Sequence, residues 1–212
     1  MQHVFGGGWT QIKLDVLRAY LQTYVTALKK KRYKLLYIDA FAGTGECTPK
    51  KDLGITLDGS AKIALETPGF DAYLFIENHP ERLRALSALC TTYSDKKVCL
   101  ERGDANEVLR EKLPRLNRLR WRAVAFLDPY GLQLNWETLN LIAQTRAIDV
   151  WYLFPLSGAY RQAAKKLCDV DEAKKRALDR CLGTNEWQTS LYSLDPQMDF
   201  FNDPEMRREP GP

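Results

Sequence analysis

With 212 residues, 45% hydrophobic and 27% charged, the chain has the composition of one soluble globular domain, and its net charge of +4 permits nucleic-acid contact without predicting it. Five cysteines without C-x-x-C spacing and only two histidines argue against a zinc or iron–sulfur site, so we expect no metal. Because no apolar run approaches the roughly 20 residues of a membrane span and the N-terminus lacks a signal pattern, we expect a cytoplasmic protein that does not bind membranes.

The chain opens with a helical pattern and continues as an alternation of short apolar runs and helices. Between Thr10 and Lys30, apolar residues recur at three- and four-residue steps, which predicts an amphipathic helix within an N-terminal extension of residues 1–32. Strands are then predicted at 35–40, 73–76, 98–100, 124–127 and 148–154. Helices are predicted at 60–65 with Ser60 as cap, at 80–93, at 105–119 with a bend or a break near Pro114, and at 135–145.

This alternation predicts an α/β, Rossmann-like fold over residues 33–182. Strands joined by helices form right-handed crossovers, which gives a three-layer sandwich around a mostly parallel sheet. Runs such as LLYID and AVAFLD are nearly continuously apolar, as strands covered on both faces are. Two further helices are predicted at about 158–168 and 171–182. Residues 183–212 contain no convincing strand pair, only LYSL and MDFF, and are predicted as an irregular C-terminal tail.

The first predicted strand ends in a turn that contains two glycines, in the segment Asp39-Ala40-Phe41-Ala42-Gly43-Thr44-Gly45. Ligands of a doubly wound sheet bind beyond the C-terminal ends of its strands, and glycine lets the backbone approach a ligand that a Cβ atom would repel. A plain strand-to-helix turn remains the alternative. Thr48 stands where the dinucleotide motif G-x-G-x-x-G has its third glycine, which disfavours an NAD-dependent oxidoreductase.

Acidic residues follow the second and third predicted strands. Glu77, with Asn78 beside it, is placed to accept the hydroxyls of a ribose, although it could also be a solvated glutamate that starts the next helix. Asp104, with Ala105 after it, is placed to accept the amino group of an adenine, and Asn106 could cap the next helix. Helix capping by Asp104 itself is the alternative.

The fourth predicted strand leads into the most specific motif of the chain, Asp128-Pro129-Tyr130-Gly131. Proline fixes its own φ and biases the preceding residue toward an extended conformation, so the Asp128 carboxylate is held at a strand end. A carboxylate beside a flat ring is suited to a planar amine, whose N–H groups are accepted while the ring stacks on its face. The same tetrapeptide also forms a β-turn with proline at its second position.

In their order along the chain, these motifs resemble those of class I methyltransferases, and Asp128-Pro129-Tyr130 is similar to the D/N-P-P-Y loop of amino-methylating enzymes without its second proline. A closer resemblance, over residues 9 to about 161, is to the three-Cys-motif partner (TcmP) family. The segments that carry it are Trp9-Thr10-x-x-Lys13-Leu14, Tyr37-Ile38-Asp39-x-Phe41-Ala42-Gly43-x-Gly45, Gly59-Ser60, Phe75-Ile76-Glu77, Gly103-Asp104-x-Asn106, Phe126-Leu127-Asp128-Pro129-Tyr130-Gly131 and Ile148-Asp149-Val150-Trp151-Tyr152-Leu153-Phe154-Pro155.

The resemblance implies an S-adenosylmethionine-dependent methyltransferase acting on an amino nitrogen of a nucleobase or a similar planar substrate, with nucleic acid and a three-Cys-motif protein as candidate partners. It also implies that the C-terminal strands of the family's seven-stranded sheet are missing or reduced here. The expected cofactor contacts are Asp39, Phe41, Gly43, Gly45, Glu77, Asn78, Asp104 and Ala105. The expected catalytic residues are Asp128, Pro129 and Tyr130, and the expected substrate contacts are Lys13 and Gly131.

Two alternatives to this assignment remain open at the level of sequence: the NAD-dependent oxidoreductase, which the missing third glycine disfavours, and a non-catalytic protein. The chain could be a methyltransferase-like domain that has lost catalysis and serves the adjacent three-Cys-motif protein. The basic segments Lys29–Arg32 and Arg115–Arg122 could contact an anionic substrate, but each alone is more simply a solvated surface.

Overall fold

The computed structural model describes residues 8–47, 57–194 and 206–208. The chain forms two compact units, one of residues 1–128 and 142–152 and the other of residues 129–141 and 153–212. The expected division into segments 1–32, 33–182 and 183–212 stays a prediction. Among the described residues, no helix combines the length and apolarity needed to cross a membrane.

The first unit contains helices, a parallel sheet and a short hairpin. Its strands are β1 (Lys34–Asp39), β2 (Glu46–Cys47), β3 (Leu57–Asp58), β4 (Ala72–Glu77), β5 (Val98–Arg102), β6 (Trp121–Leu127) and β7 (Ile148–Tyr152). Its helices are α1 (Gly8–Leu28), α2 (Ser60–Glu66), α3 (Pro80–Thr91) and α4 (Ala105–Lys112). Helix α5 (Trp136–Thr145) has residues in both units. All five strands predicted for the main sheet are confirmed.

The main sheet has the order β5-β4-β1-β6-β7, and every neighbouring pair in it is parallel. The chain moves outward from β1 to β4 and β5, then returns to the other side of β1 for β6 and β7. The direction of winding therefore reverses between β1 and β6, which is the topological switch point at which Rossmann-like sheets bind ligands. The fold is α/β and Rossmann-like, as predicted.

Continuous burial explains why these segments form central strands. All six residues of β4 are buried, as expected for a strand covered on both faces. Tyr37, Tyr73 and Phe75 are fully buried. The two tyrosine rings each pack against Phe70 and against Phe75, at ring-centroid distances of 5.8 to 6.3 Å. The amphipathic pattern of α1 is also confirmed, since its apolar stripe is buried at Leu14, Leu17, Leu21 and Tyr24.

Two predicted helix caps are wrong, whereas the break predicted near Pro114 is confirmed. Ser60 is the first residue of α2, whose N-cap is Gly59, so Ser60 does not cap it. Helix α4 ends at Lys112 and a 3-10 turn of residues 113–115 follows, because Pro114 cannot continue the helix. The cap of α4 is Asp104, whose side chain accepts backbone N–H groups of the first turn; Asn106 lies inside the helix and does not cap it.

The second unit contains α6 (Leu156–Gln162), a 3-10 turn of residues 167–169, α7 (Glu172–Leu182), α8 (Trp187–Ser190), β8 (Tyr192–Leu194) and β9 (Met206–Arg208). Its core buries Ala159, Ala163, Val170, Leu178, Trp187 and Tyr192. The helix predicted at 158–168 was too long. Ala163 leaves the helical conformation, with ψ of 87°, and is buried in this core.

The tail predicted as irregular contains a short antiparallel pair, β8 with β9, which corrects the expectation of no strand pair in residues 183–212. Contacts with residues 160–165 hold it: the Tyr192 hydroxyl donates to the Ala164 carbonyl at 2.7 Å, and the Arg208 guanidinium donates to the Tyr160 carbonyl at 2.6 Å. The segment MDFF lies outside the described residues. In the part of the chain that the structure describes, no strand joins the parallel sheet after β7.

Candidate functional site

The carboxyl ends of the parallel strands bring the four predicted acids to one edge of the first unit. Asp39 ends β1 and Glu77 ends β4, while Asp104 and Asp128 follow β5 and β6. The switch point lies between the strands that carry Asp39 and Asp128. The sequence placed each acid at a strand end, and the parallel pairing places those ends side by side.

The glycine turn after β1 is held between the two neighbouring strands. The backbone N–H of Ala40 donates to the Phe126 carbonyl of β6 at 3.2 Å, and the N–H of Ala42 donates to the Ile76 carbonyl of β4 at 3.1 Å. Gly43 and Gly45 have φ values of +64° and +80°, a conformation that glycine adopts without the steric cost of a side chain. A Cβ atom added to Gly43 would meet no atom of the described residues within 4 Å, so the turn presents open space at this position.

The backbone of this turn packs directly against Gly59, a residue outside the predicted site. The Gly59 N–H donates to the Gly45 carbonyl at 2.8 Å. A Cβ atom on Gly59 would lie 2.7 Å from the carbonyl carbon and oxygen of Gly45, so any larger residue would push the two backbones apart. In the sequence, only the Gly59-Ser60 pair of the family resemblance pointed to this position.

Glu77 is the residue that ties the second strand to the glycine turn. Its side chain is almost fully buried, and one carboxylate oxygen accepts the backbone N–H of Gly43 at 3.0 Å. The other oxygen accepts the N–H of His79 at 2.7 Å. Glu77 is therefore not a solvated residue at the start of α3, because its carboxylate fixes the geometry of the turn.

Asp39 is completely buried, and burial raises the pKa of its carboxyl from 3.8 to about 7. Hydrogen bonds from the Ser60 hydroxyl and from the Phe41 N–H, the latter at 3.2 Å, lower that pKa and partly offset the burial. The negative charge of Asp128 raises the pKa, and the positive charge of Lys13 lowers it. Ser60 was missed as a site residue because the Gly59-Ser60 pair was noted only as part of the family resemblance and did not indicate a contact with Asp39.

Lys13 and Asp128 form an ion pair between α1 and the end of β6, with the Lys13 ammonium donating to the Asp128 carboxylate. The Asp128 side chain remains 35% exposed, so its carboxylate is accessible at the edge of the sheet. Lys13 was predicted as a substrate contact, and in this structure it contacts Asp128.

Asp104 lies at the end of the third strand and serves as a helix cap. Its Oδ1 atom accepts the N–H of Asn106 at 2.9 Å, the Asn106 side-chain amide at 3.0 Å and the N–H of Glu107 at 3.3 Å. The capping alternative considered from sequence is therefore a real contact. Ala105 is buried at the start of α4, whereas Asn78 is exposed.

Pro129, Tyr130 and Gly131 follow Asp128 in the chain and belong to the second compact unit. The Tyr130 ring is 71% exposed, and Gly131 has φ of +63° with no described atom within 4 Å of an added Cβ. Within the described ranges, no three His, Cys, Asp or Glu side chains are grouped so that they could hold a metal ion.

No family model and no curated protein sequence matches the chain. Among solved structures, protein LPL1258 from Legionella pneumophila, described as a member of the family DUF519, is similar with a TM-score of 0.50 and 18% identity, over 70% of this chain and 71% of that chain. Trm1 from Pyrococcus horikoshii, solved with S-adenosyl-L-methionine, has a TM-score of 0.43 and 15% identity, over 97% of this chain and 55% of that chain.

The methyltransferase domain of bacterial CtHen1-C has a TM-score of 0.34 and 14% identity, over 91% of this chain and 95% of that chain. The structural neighbours of the chain thus include methyltransferases, but the TM-scores of these two lie below 0.5 and add no argument. At 18% identity, the likeness to LPL1258 shows the fold alone. The chain has a Rossmann-like α/β fold with a glycine turn and four acids at the carboxyl edge of its sheet.

Proposed function

We propose that the carboxyl edge of the parallel sheet binds S-adenosylmethionine, and that the chain transfers its methyl group to an amino nitrogen of a nucleobase or a similar planar substrate. The observation that carries this proposal is the hydrogen bond between Glu77 and Gly43. It joins the carboxylate that would hold a ribose to the turn that would lie under the methionine part of the cofactor. Both groups lie at the carboxyl edge of the sheet, next to the topological switch point at which such sheets bind ligands.

The contacts of the acidic residues leave capacity for this cofactor. A carboxylate has about four lone-pair sites, and two of those on Glu77 receive backbone N–H groups, so ribose hydroxyls can donate to the others. The three described bonds of Asp104 all end on Oδ1, and the adenine amino group would donate to its Oδ2. The open space over Gly43 would accommodate the methionine part. Phe41 follows β1, Asn78 follows β4 and Ala105 is the first residue of α4, so each stands just after a strand end that would face the cofactor.

S-adenosylmethionine supplies a methyl group that its positive sulfur already activates, so the residues of this chain would act mainly by positioning. Asp128 would accept an N–H of the substrate amine and orient the nitrogen lone pair toward the methyl carbon. As the N–C bond forms and the S–C bond breaks, the amine would lose one proton to the Asp128 carboxylate. Lys13 would act as a positioning residue that holds the Asp128 carboxylate, while the roles expected of Pro129, Tyr130 and Gly131 stay predictions from the sequence.

The cofactor is tested by calorimetric titration of the chain with S-adenosylmethionine, and with NAD as the ligand that should not bind. Glu77→Ala should lose about 1.5–3 kcal/mol of binding free energy, roughly tenfold to a hundredfold in affinity, because a charge-assisted acceptor is removed. Asp95→Asn is the matched control, since Asp95 is 76% exposed and precedes β5 at the other edge of the sheet. Binding of NAD instead, or a Glu77→Ala variant with the affinity of the parent, would contradict the assignment.

The transfer step is tested with labelled methyl groups on a panel of nucleic-acid and nucleoside acceptors. Asp128→Asn should keep the cofactor affinity of the parent and abolish transfer, because the amide cannot take up the proton. Lys13→Met should lower kcat at unchanged cofactor affinity, and Lys13→Arg should restore part of it by keeping the ion pair. If Lys13→Met and Asp128→Asn both transfer methyl groups at the parental rate, the proposed catalytic roles are wrong.

The second candidate function is a methyltransferase-like protein that acts with a three-Cys-motif protein, as the resemblance to the TcmP family suggests. The ion pair favours this candidate, because the Asp128 carboxylate is already bound by Lys13. It predicts cofactor binding without turnover, or no cofactor binding at all, over the whole acceptor panel. Transfer assays with and without the three-Cys-motif protein separate the two candidates, since transfer by the isolated chain would exclude the non-catalytic one.

A further inference from the structure

The basic segments that the sequence placed far apart meet at the amino ends of β1 and β6. The Lys34 N–H donates to the Arg120 carbonyl at 2.8 Å, and the strands pair Lys34 with Trp121 and Leu35 with Arg122. We call the resulting surface the basic edge and define it by the cations of residues 29–34 and 115–122, which are Lys29, Lys30, Lys31, Arg32, Lys34, Arg115, Arg118, Arg120 and Arg122.

The charge of the chain is segregated at this edge. The two segments hold nine cations and no acid within 14 residues. Subtracting these nine from the 31 basic residues leaves 22 against 27 acidic residues, so the rest of the chain has an excess of five acids. The net charge of +4 is therefore the sum of a strongly positive surface and an otherwise acidic protein. The positive field of the basic edge would attract a polyanion.

Two acids on neighbouring segments, Asp71 and Asp149, accept hydrogen bonds from neutral groups, and neither forms a described ion pair with a cation of the basic edge. Asp71 accepts the backbone N–H of Leu35 at 2.7 Å, and Asp149 accepts the Tyr20 hydroxyl at 3.0 Å. Arg115 forms an exposed ion pair with Glu111 at 3.3 Å, which is worth little in water. Lys29 to Arg32, Arg118 and Arg120 are exposed, so their positive charges are available to a partner.

The edge presents charges in an ordered arrangement. Residues 117–120 form a turn in which the Asn117 side chain accepts the Leu119 N–H at 3.1 Å and the Asn117 carbonyl accepts the Arg120 N–H at 3.0 Å. The guanidinium of Arg122 lies 3.9 Å from the centroid of the Tyr33 ring. Preorganised cations lose less conformational entropy on binding than cations on flexible segments do.

We propose that the basic edge is a docking surface for the phosphate backbone of a nucleic-acid duplex. A duplex carries one negative charge per about 1.7 Å of its axis, and phosphate contacts from lysine and arginine need no base recognition. The rings at this edge favour a duplex over a single strand, because Arg122 covers Tyr33 and Lys34 lies 5.8 Å from the Trp121 ring, whereas single strands are bound by stacking on open rings. A membrane is disfavoured because Leu119 is the single large apolar side chain exposed in these two segments, and membrane binding needs a larger apolar area.

This docking surface is separate from the candidate methyl-transfer site. Arg122 of the basic edge and Asp128 are six residues apart along β6 and its carboxyl end, a distance of about 20 Å at 3.3 Å per residue. A nucleic acid bound at the basic edge would thus contact the opposite end of the sheet from Asp128. The inference does not depend on the proposed function, because phosphate docking and cofactor binding use different residues.

The test is fluorescence anisotropy of a labelled duplex of about 20 base pairs, as DNA and as RNA, at salt concentrations from about 50 to about 200 mM. Arg118→Gln with Arg120→Gln should weaken binding about tenfold and reduce the salt slope, log K against log[salt], by about 1.8, which is about 0.9 for each lost phosphate contact. Arg176→Gln with Arg180→Gln on α7 is the matched control, because it removes the same charge from exposed positions of the second unit and should change neither quantity.

Three outcomes would overturn the docking proposal. These are no duplex binding by the parent, an equal loss of affinity in the control variant, or tighter binding of a single strand or of phosphatidylserine vesicles than of the duplex. The calorimetric affinity for S-adenosylmethionine should be the same in the Arg118→Gln, Arg120→Gln variant as in the parent. Failure of the parent to bind S-adenosylmethionine while it binds the duplex would refute the proposed function and leave the docking surface standing.

Discussion

Ionisation of Asp39 should limit the stability of this chain above neutral pH. The carboxyl is completely buried, and burial raises its pKa from 3.8 to about 7. Between these two values the folded state binds a proton that the unfolded state has released, so the free energy of unfolding falls as the pH rises through this window. A difference of about three pKa units at 1.36 kcal/mol each corresponds to about 4 kcal/mol, all of it lost once the pH exceeds about 7.

Asp39→Asn isolates this effect, because the amide keeps an oxygen for the N–H of Phe41 and cannot ionise. We expect the variant to have nearly parental stability at about pH 3, where Asp39 is protonated in both the folded and the unfolded state. It should exceed the parent by about 1 kcal/mol at about pH 4.5 and by up to about 4 kcal/mol at about pH 8.5. Urea unfolding of both proteins across this range measures the difference in the free energy of unfolding. Equal m-values would show that the two proteins expose a similar amount of surface when they unfold.

Asp95→Asn is the control for an exposed carboxyl and should follow the parent at every pH. A stability difference between Asp39→Asn and the parent that stays constant from about pH 4.5 to about pH 8.5 would refute the reasoning, since it would mean that Asp39 ionises in the folded state as it does in the unfolded chain.

The remaining predictions concern backbone geometry. Gly59→Ala should lose about 1–3 kcal/mol in urea unfolding and weaken cofactor binding, because its Cβ would lie 2.7 Å from the Gly45 backbone; full retention of both would contradict the described approach. Gly183→Ala should lose about 2–4 kcal/mol, since φ is +74° and the Cβ would lie 2.2 Å from the Trp136 ring, and near-parental stability would show that this packing is wrong. Asp104→Ala should lose about 1 kcal/mol as a removed helix cap, while Asp104→Asn should retain stability; an equal loss in both would argue against the cap.

Much of the fold could be predicted because a strand that is buried on both faces appears in the sequence as a nearly continuous apolar run. The strand around Tyr73 to Ile76 is wholly apolar, and each acid after such a run had to lie where the chain leaves the sheet. The same logic failed for β8 and β9, which have three residues each. Strands this short carry almost no periodic signal, and their pairing depends on contacts such as the Tyr192 hydroxyl with the Ala164 carbonyl.

The sequence by itself determined the α/β alternation, the strand ends that carry Asp39, Glu77, Asp104 and Asp128, and the positions of two basic segments. Only the tertiary structure decided which groups meet. Lys13 and Asp128 are separated by 115 positions, and the two basic segments by more than 80, so their proximity follows from the strand order β5-β4-β1-β6-β7. Local patterns record the burial of each segment, whereas strand order is set by the packing of the whole sheet, to which distant residues contribute together.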